Sequence, residues 1–206
     1  MAMQQRAIET RERIVAAAAE IFSKMSFAEA SMSDIIKLAA VTQGSVYFHF
    51  DSKMDLAKEI VHRQHLISME LGKNRLESQR PAIDSMVDLS FDLARSLLSQ
   101  PIMRAGLRLS TESLAVFDQP IERPYLDWME FCTTLLERAA DEGELIADQD
   151  IESISFVIIS SFTGAHVFAA ALGELDTLES RLSSMWRLLL PSIVTDKAKT
   201  PILSAH

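Results

Sequence analysis

The sequence predicts an all-α fold of about nine helices. Three observations carry that expectation. Apolar residues recur with a helical period along almost the whole chain. No stretch alternates apolar and polar residues long enough to make a half-buried strand. Six Gly and six Pro in 206 residues are too few for a turn-rich all-β chain.

The elements follow in order. In residues 6–25, Ile14, Ala18, Ile21, Phe22 and Met25 share one face, while Arg11, Arg13, Glu20 and Lys24 fall elsewhere. The pattern breaks at Ser26–Phe27. Ser31 or Ser33 can cap a short second helix ending near Ala40, with Asp34 in its first turn. Thr42 caps a third, very short helix, Gln43 to His49. Asp51 or Ser52 opens a fourth that runs to about Leu76. Pro81 starts a fifth, to Ser99. Pro101 sits in the first turn of a sixth, where a missing N–H is tolerated. Residues 114–120 read as a loop. A seventh helix spans about Ile121 to Asp141 and ends at Gly143. An eighth covers roughly 149–172 and a ninth roughly 174–190, where Pro191 stops it. The tail 192–206 has little core pattern and is expected to fray. This divides the chain into a head at 1–53, a body at 54–191 and the tail.

Residues 153–173 form a run of 21 without a formal charge, which is long enough to cross a bilayer. Yet the run contains Ser155, Ser160, Ser161, Thr163 and His166, and Glu152 and Glu174 flank it with no basic residue to set an orientation. It reads as a core helix or a subunit interface, and no membrane contact is expected.

Charge is distributed unevenly. Residues 1–65 carry eight Lys/Arg and eight Asp/Glu, and residues 66–206 carry twelve and twenty-one. A neutral head and an acidic remainder suit two parts with different partners. The single cysteine, Cys132, excludes an intramolecular disulfide and a thiolate metal cluster and points to a reducing compartment. The opening MAMQQRAIETRER has no apolar core of a secretory signal, so a cytoplasmic location is expected. No HExxH, CxxC, GxSxG or phosphate-cradling glycine loop occurs. His62 and His65, one turn apart, read as a solvated face. No catalytic residue, cofactor or metal is expected.

Helices two and three, joined by a tight turn at Ala40–Val41, have a helix-turn-helix arrangement, whose second helix enters a major groove. Its first turn holds Thr42, Gln43, Gly44 and Ser45. Gln pairs in bidentate fashion with adenine, Ser and Thr reach bases or phosphates, and Gly44 allows close approach. Tyr47 and His49 follow, and Lys53 suits a phosphate. By residue type alone, a helical bundle in which Tyr47, Phe48 and Phe50 simply pack reads as well.

The run VTQGSVYFHFDSKMDLAKEIV, preceded by TRERIVAAAAEIFSK and SMSDIIKLA, resembles the N-terminal domain of the TetR family of bacterial repressors across residues 8–62. The resemblance implies a three-helix DNA-binding head, a linking fourth helix, a helical ligand-binding body and a homodimer. It also places Thr42, Gln43, Gly44, Ser45, Tyr47, His49 and Lys53 at or near DNA. The chain departs from the pattern at Gln43, where many members have Lys or Arg. It departs again at Ser26–Phe27, where many have a Gly-aromatic pair, and at Ala40, where many have Gly. The stretch QPIMRAGLRLSTES, followed by Pro120, Pro124 and YLDWMEF, resembles the γ-butyrolactone receptor branch. In that branch a lipophilic butyrolactone, butenolide or furan signal enters the body and releases DNA.

Effector candidates follow from both readings. Gln64 interrupts the apolar stripe Leu56, Ile60, Ile67 and Leu71 and needs a partner, from a neighbouring backbone or from a ligand. Trp128 lies on the stripe of Tyr125, Cys132, Leu135 and Leu136. Its residue type favours core packing, and the resemblance implies a pocket wall. Thr163 can serve a lactone carbonyl or bond back to its own helix. His166 is a core histidine or a ligand contact. Met86, Ser90 and Phe91 of helix five and Leu109 of helix six face the same interior. Arg108 and Glu112, one turn apart, read as an ion pair.

The expected function is a homodimeric repressor joined through helices eight and nine, on the sides of His166 and of Leu182 and Leu188. It reads a pseudo-palindromic double-stranded operator with half-sites ~34 Å apart and is released by a small lipophilic effector. The alternatives are a pseudo-receptor or multidrug sensor of the same architecture, or a helical enzyme or interaction module with a vestigial head.

Overall fold

The computed structural model describes residues 2–112, 117, 122–196 and 198. Among these are nine α-helices: α1 Ala2–Lys24, α2 Met32–Ala39, α3 Gln43–His49, α4 Lys53–Leu76, α5 Ala82–Ser99, α6 Pro101–Thr111, α7 Arg123–Asp141, α8 Ile151–Ala171 and α9 Leu178–Ile193. A 3₁₀ turn at Leu175–Thr177 precedes α9. The described residues include no strand, and Leu145 and Val194 make one isolated antiparallel bridge. Apart from Phe117, the loop expected at 114–120 lies outside the described residues, as do 197 and 199–206 of the expected tail.

Side-chain caps fix the helix starts. Ser31, not Ser33, caps α2: its Oγ accepts the Asp34 N–H at 3.1 Å. Thr42 Oγ1 accepts the Ser45 N–H at 3.2 Å and opens α3. Ser52 rather than Asp51 opens α4, accepting the Asp55 N–H at 3.1 Å. Asp150 accepts the Ser153 N–H at 3.3 Å and opens α8. In each case a short polar side chain satisfies an amide that the helix cannot.

Pro191 does not stop the last helix. α9 runs through it to Ile193. A proline so close to a helix end removes one hydrogen bond and leaves few turns beyond it to disturb. Residues 192–195 are also tied down. Gln149 Nε2 donates to the Ser192 carbonyl at 2.8 Å, the Ile146 N–H to the Ile193 carbonyl at 3.1 Å, and the Thr195 N–H to the Glu144 carbonyl at 2.8 Å.

Contacts gather the chain into two compact units, Met1–Ser68 with Ser99–Ile121, and Met69–Leu98 with Glu122–His206. The first is built on Ile14, Ala18 and Phe22 of α1, Ile35 of α2, Val46 of α3, Phe50, and Leu56 and Ile60 of α4. Ala105 and Leu109 of α6 and Phe117 join the same core. The boundary expected after residue 53 therefore falls inside a continuous core. α4 and α6 approach closely at Gly106, where an added Cβ would lie 2.3 Å from Gln64 Cβ. Arg63 grips Glu12 at 2.5 and 2.7 Å and Glu59 at 2.6 Å, joining α1 to α4. Glu112 accepts the Phe27 N–H at 3.0 Å, a duty that the expected pair with Arg108 did not foresee.

The second unit buries much of α5, together with Phe131, Cys132, Leu135 and Leu136 of α7 and Leu178, Leu182, Trp186 and Leu190 of α9. Glu142 and Glu144 accept the N–H groups of Ala82 and Ile83 at 2.8 and 3.0 Å and so close the start of α5.

Candidate DNA interface and effector site

α3 is held from behind and open in front. Val46 is fully buried and Phe50 nearly so, which anchors the helix in the core of the first unit. Thr42, Gln43, Gly44 and Tyr47 are exposed, with Ser45 and His49 half-buried beside them. The hydroxyls of Thr42 and Ser45 lie 2.8 Å apart. Phe48 is 80% exposed, the highest figure for any large apolar side chain among the described residues. It belongs to the open face and is not a packing residue. Gly44 stands one turn before it, and a Cβ there would meet nothing within 4 Å.

The turn ahead of α3 is fixed by a residue that sequence reasoning missed. Arg13 of α1 donates through Nη2 to the carbonyls of Ala39 at 2.6 Å and Ala40 at 2.9 Å. These are carbonyls at the end of α2, where a cation is favoured. Ala40 itself sits in the left-handed region at φ 51°. Glycine is the residue that adopts that region without cost, which explains the glycine common at this position in the resemblance.

Lys53 has a second employment. Its ammonium donates to the carbonyls of Phe27 at 2.6 Å and Ala30 at 2.7 Å and lies 4.3 Å from the centre of the Phe27 ring. Two of its three N–H donors therefore brace the α1–α2 connection, and one is left for a phosphate. Arg11 pairs with Glu59 at 2.9 Å and Arg63 with Glu12, so further cations of this unit are held by internal acids.

In the second unit, Trp128 is half-buried and meets Phe131 edge-on, with ring centres 5.5 Å apart. Met86, Phe91 and Cys132 are buried, and Thr163 is half-buried. Burial pushes the Cys132 thiol up to about 11 and also raises the Tyr125 phenol. A thiol this buried is protonated and inert at neutral pH. Ser90 is fully engaged: its hydroxyl donates to the Val87 carbonyl at 2.6 Å and accepts from Trp186 Nε1 at 2.8 Å. Trp186, whose indole is thereby fixed, drew no attention in the sequence. Its apolar spacing on α9 looked like any core position.

His166 is only 5% exposed. Its Nδ1 lies 3.2 Å from the Phe162 carbonyl, an acceptor only, so Nδ1 carries the proton and donates. Nε2 is then a bare acceptor, and it has no hydrogen-bond partner among the described residues. Burial holds the imidazole neutral, with its pKa lowered to about 4. Two other candidates lie in the first unit. Leu109 is fully buried in the core of that unit, and Gln64 Nε2 donates to Ser68 Oγ at 2.8 Å while its stem packs on Gly106. The partner present for Gln64 is a neighbouring side chain, neither the backbone group nor the ligand that the sequence left open.

Comparison with known proteins decides the family. The model for "Bacterial regulatory proteins, tetR family" matches residues 14–60, and that for "Tetracyclin repressor-like, C-terminal domain" matches residues 80–195. The chain belongs to the TetR family. The A-factor receptor protein of Streptomyces griseus is 33% identical over 193 residues, covering 94% of this chain and 67% of that protein. A solved γ-butyrolactone receptor, an ArpA-like protein, matches with a TM-score of 0.82 at 30% identity, over 96% of this chain and 94% of that one. CprB of Streptomyces coelicolor, solved in complex with its biological operator sequence, matches with a TM-score of 0.80 at 30% identity, over 96% and 94%.

This TetR-family protein is therefore a ligand-responsive, DNA-binding repressor of transcription, not an enzyme. Its α2–α3 pair is the helix-turn-helix, and α3 is the recognition helix. TetR regulators bind operator DNA and small-molecule ligands and dimerise. α8 has the length and composition of a membrane span, and Phe156, Val157, Val167 and Phe168 lie exposed on it, with Leu172 exposed just past its end. Of the residues on the sides expected to meet the partner, His166 and Leu182 are buried within the protomer and Leu188 is 79% exposed. The 3.6-residue turn puts Ser155, Ile158, His166 and Ala169 on the opposite face of α8 from that exposed stripe.

Proposed function

We propose that this repressor answers a small lipophilic lactone of the γ-butyrolactone, butenolide or furan class, and that the effector binds in the second unit. Trp128, Met86 and Phe91 supply apolar wall, Cys132 lends its uncharged thiol, and Thr163 and His166 supply hydrogen bonds. Ser90, Leu109 and Gln64 hold the fold. The observation that carries the reading is His166 Nε2, a buried neutral acceptor without a hydrogen-bond partner among the described residues. A buried polar atom left alone costs on the order of 1–3 kcal/mol, and an uncharged effector that donates a hydroxyl to Nε2 offsets that cost. Similarity over 94% of the chain to a protein named for its A-factor receptor role supports the class.

The protein works in the cytoplasm as a homodimer through α8 and α9, which places two recognition helices on a pseudo-palindrome. Thr42, Gln43, Gly44, Ser45, Tyr47 and His49 face DNA, and Lys53 adds one donor. Effector binding releases DNA by favouring a conformation that does not bind, through α4. Gly106 against Gln64 ties α6 to α4, so a displacement of either helix carries the other.

A gel shift on DNA upstream of this gene, with and without a synthetic 2-acyl-3-hydroxymethyl-γ-butyrolactone, tests the reading. The expected result is a shift that the lactone abolishes. A shift indifferent to lactones but abolished by an antibiotic makes the protein a multidrug sensor or pseudo-receptor.

A further inference from the structure

We propose that Phe48 reads the 5-methyl group of a thymine in the major groove, making it a specificity residue of the operator contact. The inference rests on the DNA-binding role of α3. Successive residues of a helix turn by about 100°, so Phe48 lies on the side opposite Val46. Val46 is fully buried and Phe48 is 80% exposed, which makes Phe48 the most exposed large apolar side chain of the recognition helix. Gly44, one turn earlier on the same line, adds no side chain to hold the helix off, and a Cβ there would meet nothing within 4 Å. The ring stands edge-on to His49, with centres 5.0 Å apart and planes at 82°, so it projects with a neighbour beside it.

The chemistry narrows the target. A phenyl ring offers neither donor nor acceptor, so it cannot recognise a phosphate or a polar base edge. Among the groups on the four base pairs in the major groove, the apolar one is the thymine methyl. The rest of the head makes such a contact matter. Two donors of Lys53 are spent on backbone carbonyls, Arg13 caps α2, and Arg11 and Arg63 pair with Glu59 and Glu12. Fewer free cations leave a larger share of operator affinity to contacts that are not ionic.

The test uses the full chain and a duplex that it enriches from a random-sequence pool. Each thymine is replaced in turn by deoxyuridine, which removes the methyl and nothing else. Wild-type protein should lose about fourfold in affinity at one thymine per half-site, the worth of one buried methyl. Phe48→Ala should bind the unmodified duplex at least that much more weakly and show no further loss on deoxyuridine at that position. Phe48→Leu should keep part of the preference. Since Phe48 is exposed, both variants should melt with the wild type. Wild-type indifference to every deoxyuridine, or a penalty that persists undiminished in Phe48→Ala, overturns the proposal. If the wild type enriches no duplex, the DNA-binding reading itself falls and takes this inference with it.

Discussion

α5 and α8 belong to the same unit, and the helix with the more apolar sequence is the less buried one. α5 carries Asp84, Asp88 and Asp92 yet buries eleven of its eighteen residues. α8 has no charge between Ser153 and Gly173 and buries four of its twenty-one. The charges of α5 mark its rim: Arg75 takes Asp88 at 3.1 Å and Asp92 on its other side, and Arg80 takes Asp84 at 3.6 Å. α8 has no such rim, since Phe168 and Phe156 on its outer side are 69% and 64% exposed. Lack of charge along a helix therefore does not by itself report burial within one protomer.

The largest expected effect separates the two helices directly. Phe91→Glu should unfold the protein, because a charge replaces a buried ring at a cost on the order of 5 kcal/mol. Phe168→Glu should leave each protomer folded, with nearly unchanged circular dichroism, and abolish the dimer in sedimentation. Operator affinity should then fall about a hundredfold or more, since two half-sites are no longer engaged together. A Phe168→Glu protein that stays dimeric and binds its operator normally would show that the outer face of α8 is not the subunit interface.

The inward face of α8 sharpens the comparison through pH. The His166 pKa falls from an ordinary 6.5 to about 4 because burial penalises the imidazolium. A histidine kept neutral in the fold binds fewer protons than in the unfolded chain. Its contribution is therefore fully present above about pH 6.5 and is lost as pH falls towards 4. Denaturant midpoints should drop across that window by roughly 3 kcal/mol in stability, and His166→Phe should flatten the slope. An unchanged slope in His166→Phe would assign the acid sensitivity to other groups.

Much of this fold was readable in the sequence because helices announce themselves locally. Thr42 caps where its spacing to a following amide says it should, Ser31 is one of the two caps the sequence offered for α2, and the short third helix falls on Gln43–His49. What was not readable depends on partners distant in sequence. Arg13 meets carbonyls 26 and 27 residues away, and Trp186 meets a serine 96 residues away. No local pattern encodes such pairs. Phe48 and Phe50 are the same residue two positions apart, yet Phe48 stands on the open face of α3 while Phe50, the extended residue that ends the helix, enters the core. Lys53 looked like a phosphate ligand because residue type and position agree, while its two carbonyl partners sit on an earlier connection.

A middling effect comes from α5. Ser90→Ala should cost about 2 kcal/mol, because the Trp186 indole N–H, 3% exposed with the rest of its residue, loses its acceptor. Effector affinity should be unchanged in the same variant. A variant of native stability that no longer responds to lactone would move Ser90 from the frame of the body into the effector site.

The smallest effect returns to α8. Ser155 is fully buried, and its hydroxyl lies 3.0 Å from that of Thr133 on α7. It also hydrogen-bonds the Cys132 thiol and moderates the upward shift that burial imposes there. Among the four buried residues of α8, Ser155 and His166 are the polar ones, and they differ in kind. Ser155 is satisfied within the protomer, whereas His166 Nε2 is not. Ser155→Ala should therefore cost only about 1 kcal/mol, since Thr133 is half-buried and can turn to water. Release of DNA by lactone should be unaffected. Thermal melts read the first expectation and lactone titration of the operator complex the second. If Ser155→Ala weakened the lactone response as strongly as His166→Phe, satisfaction within the protomer would not distinguish scaffold from site on this helix.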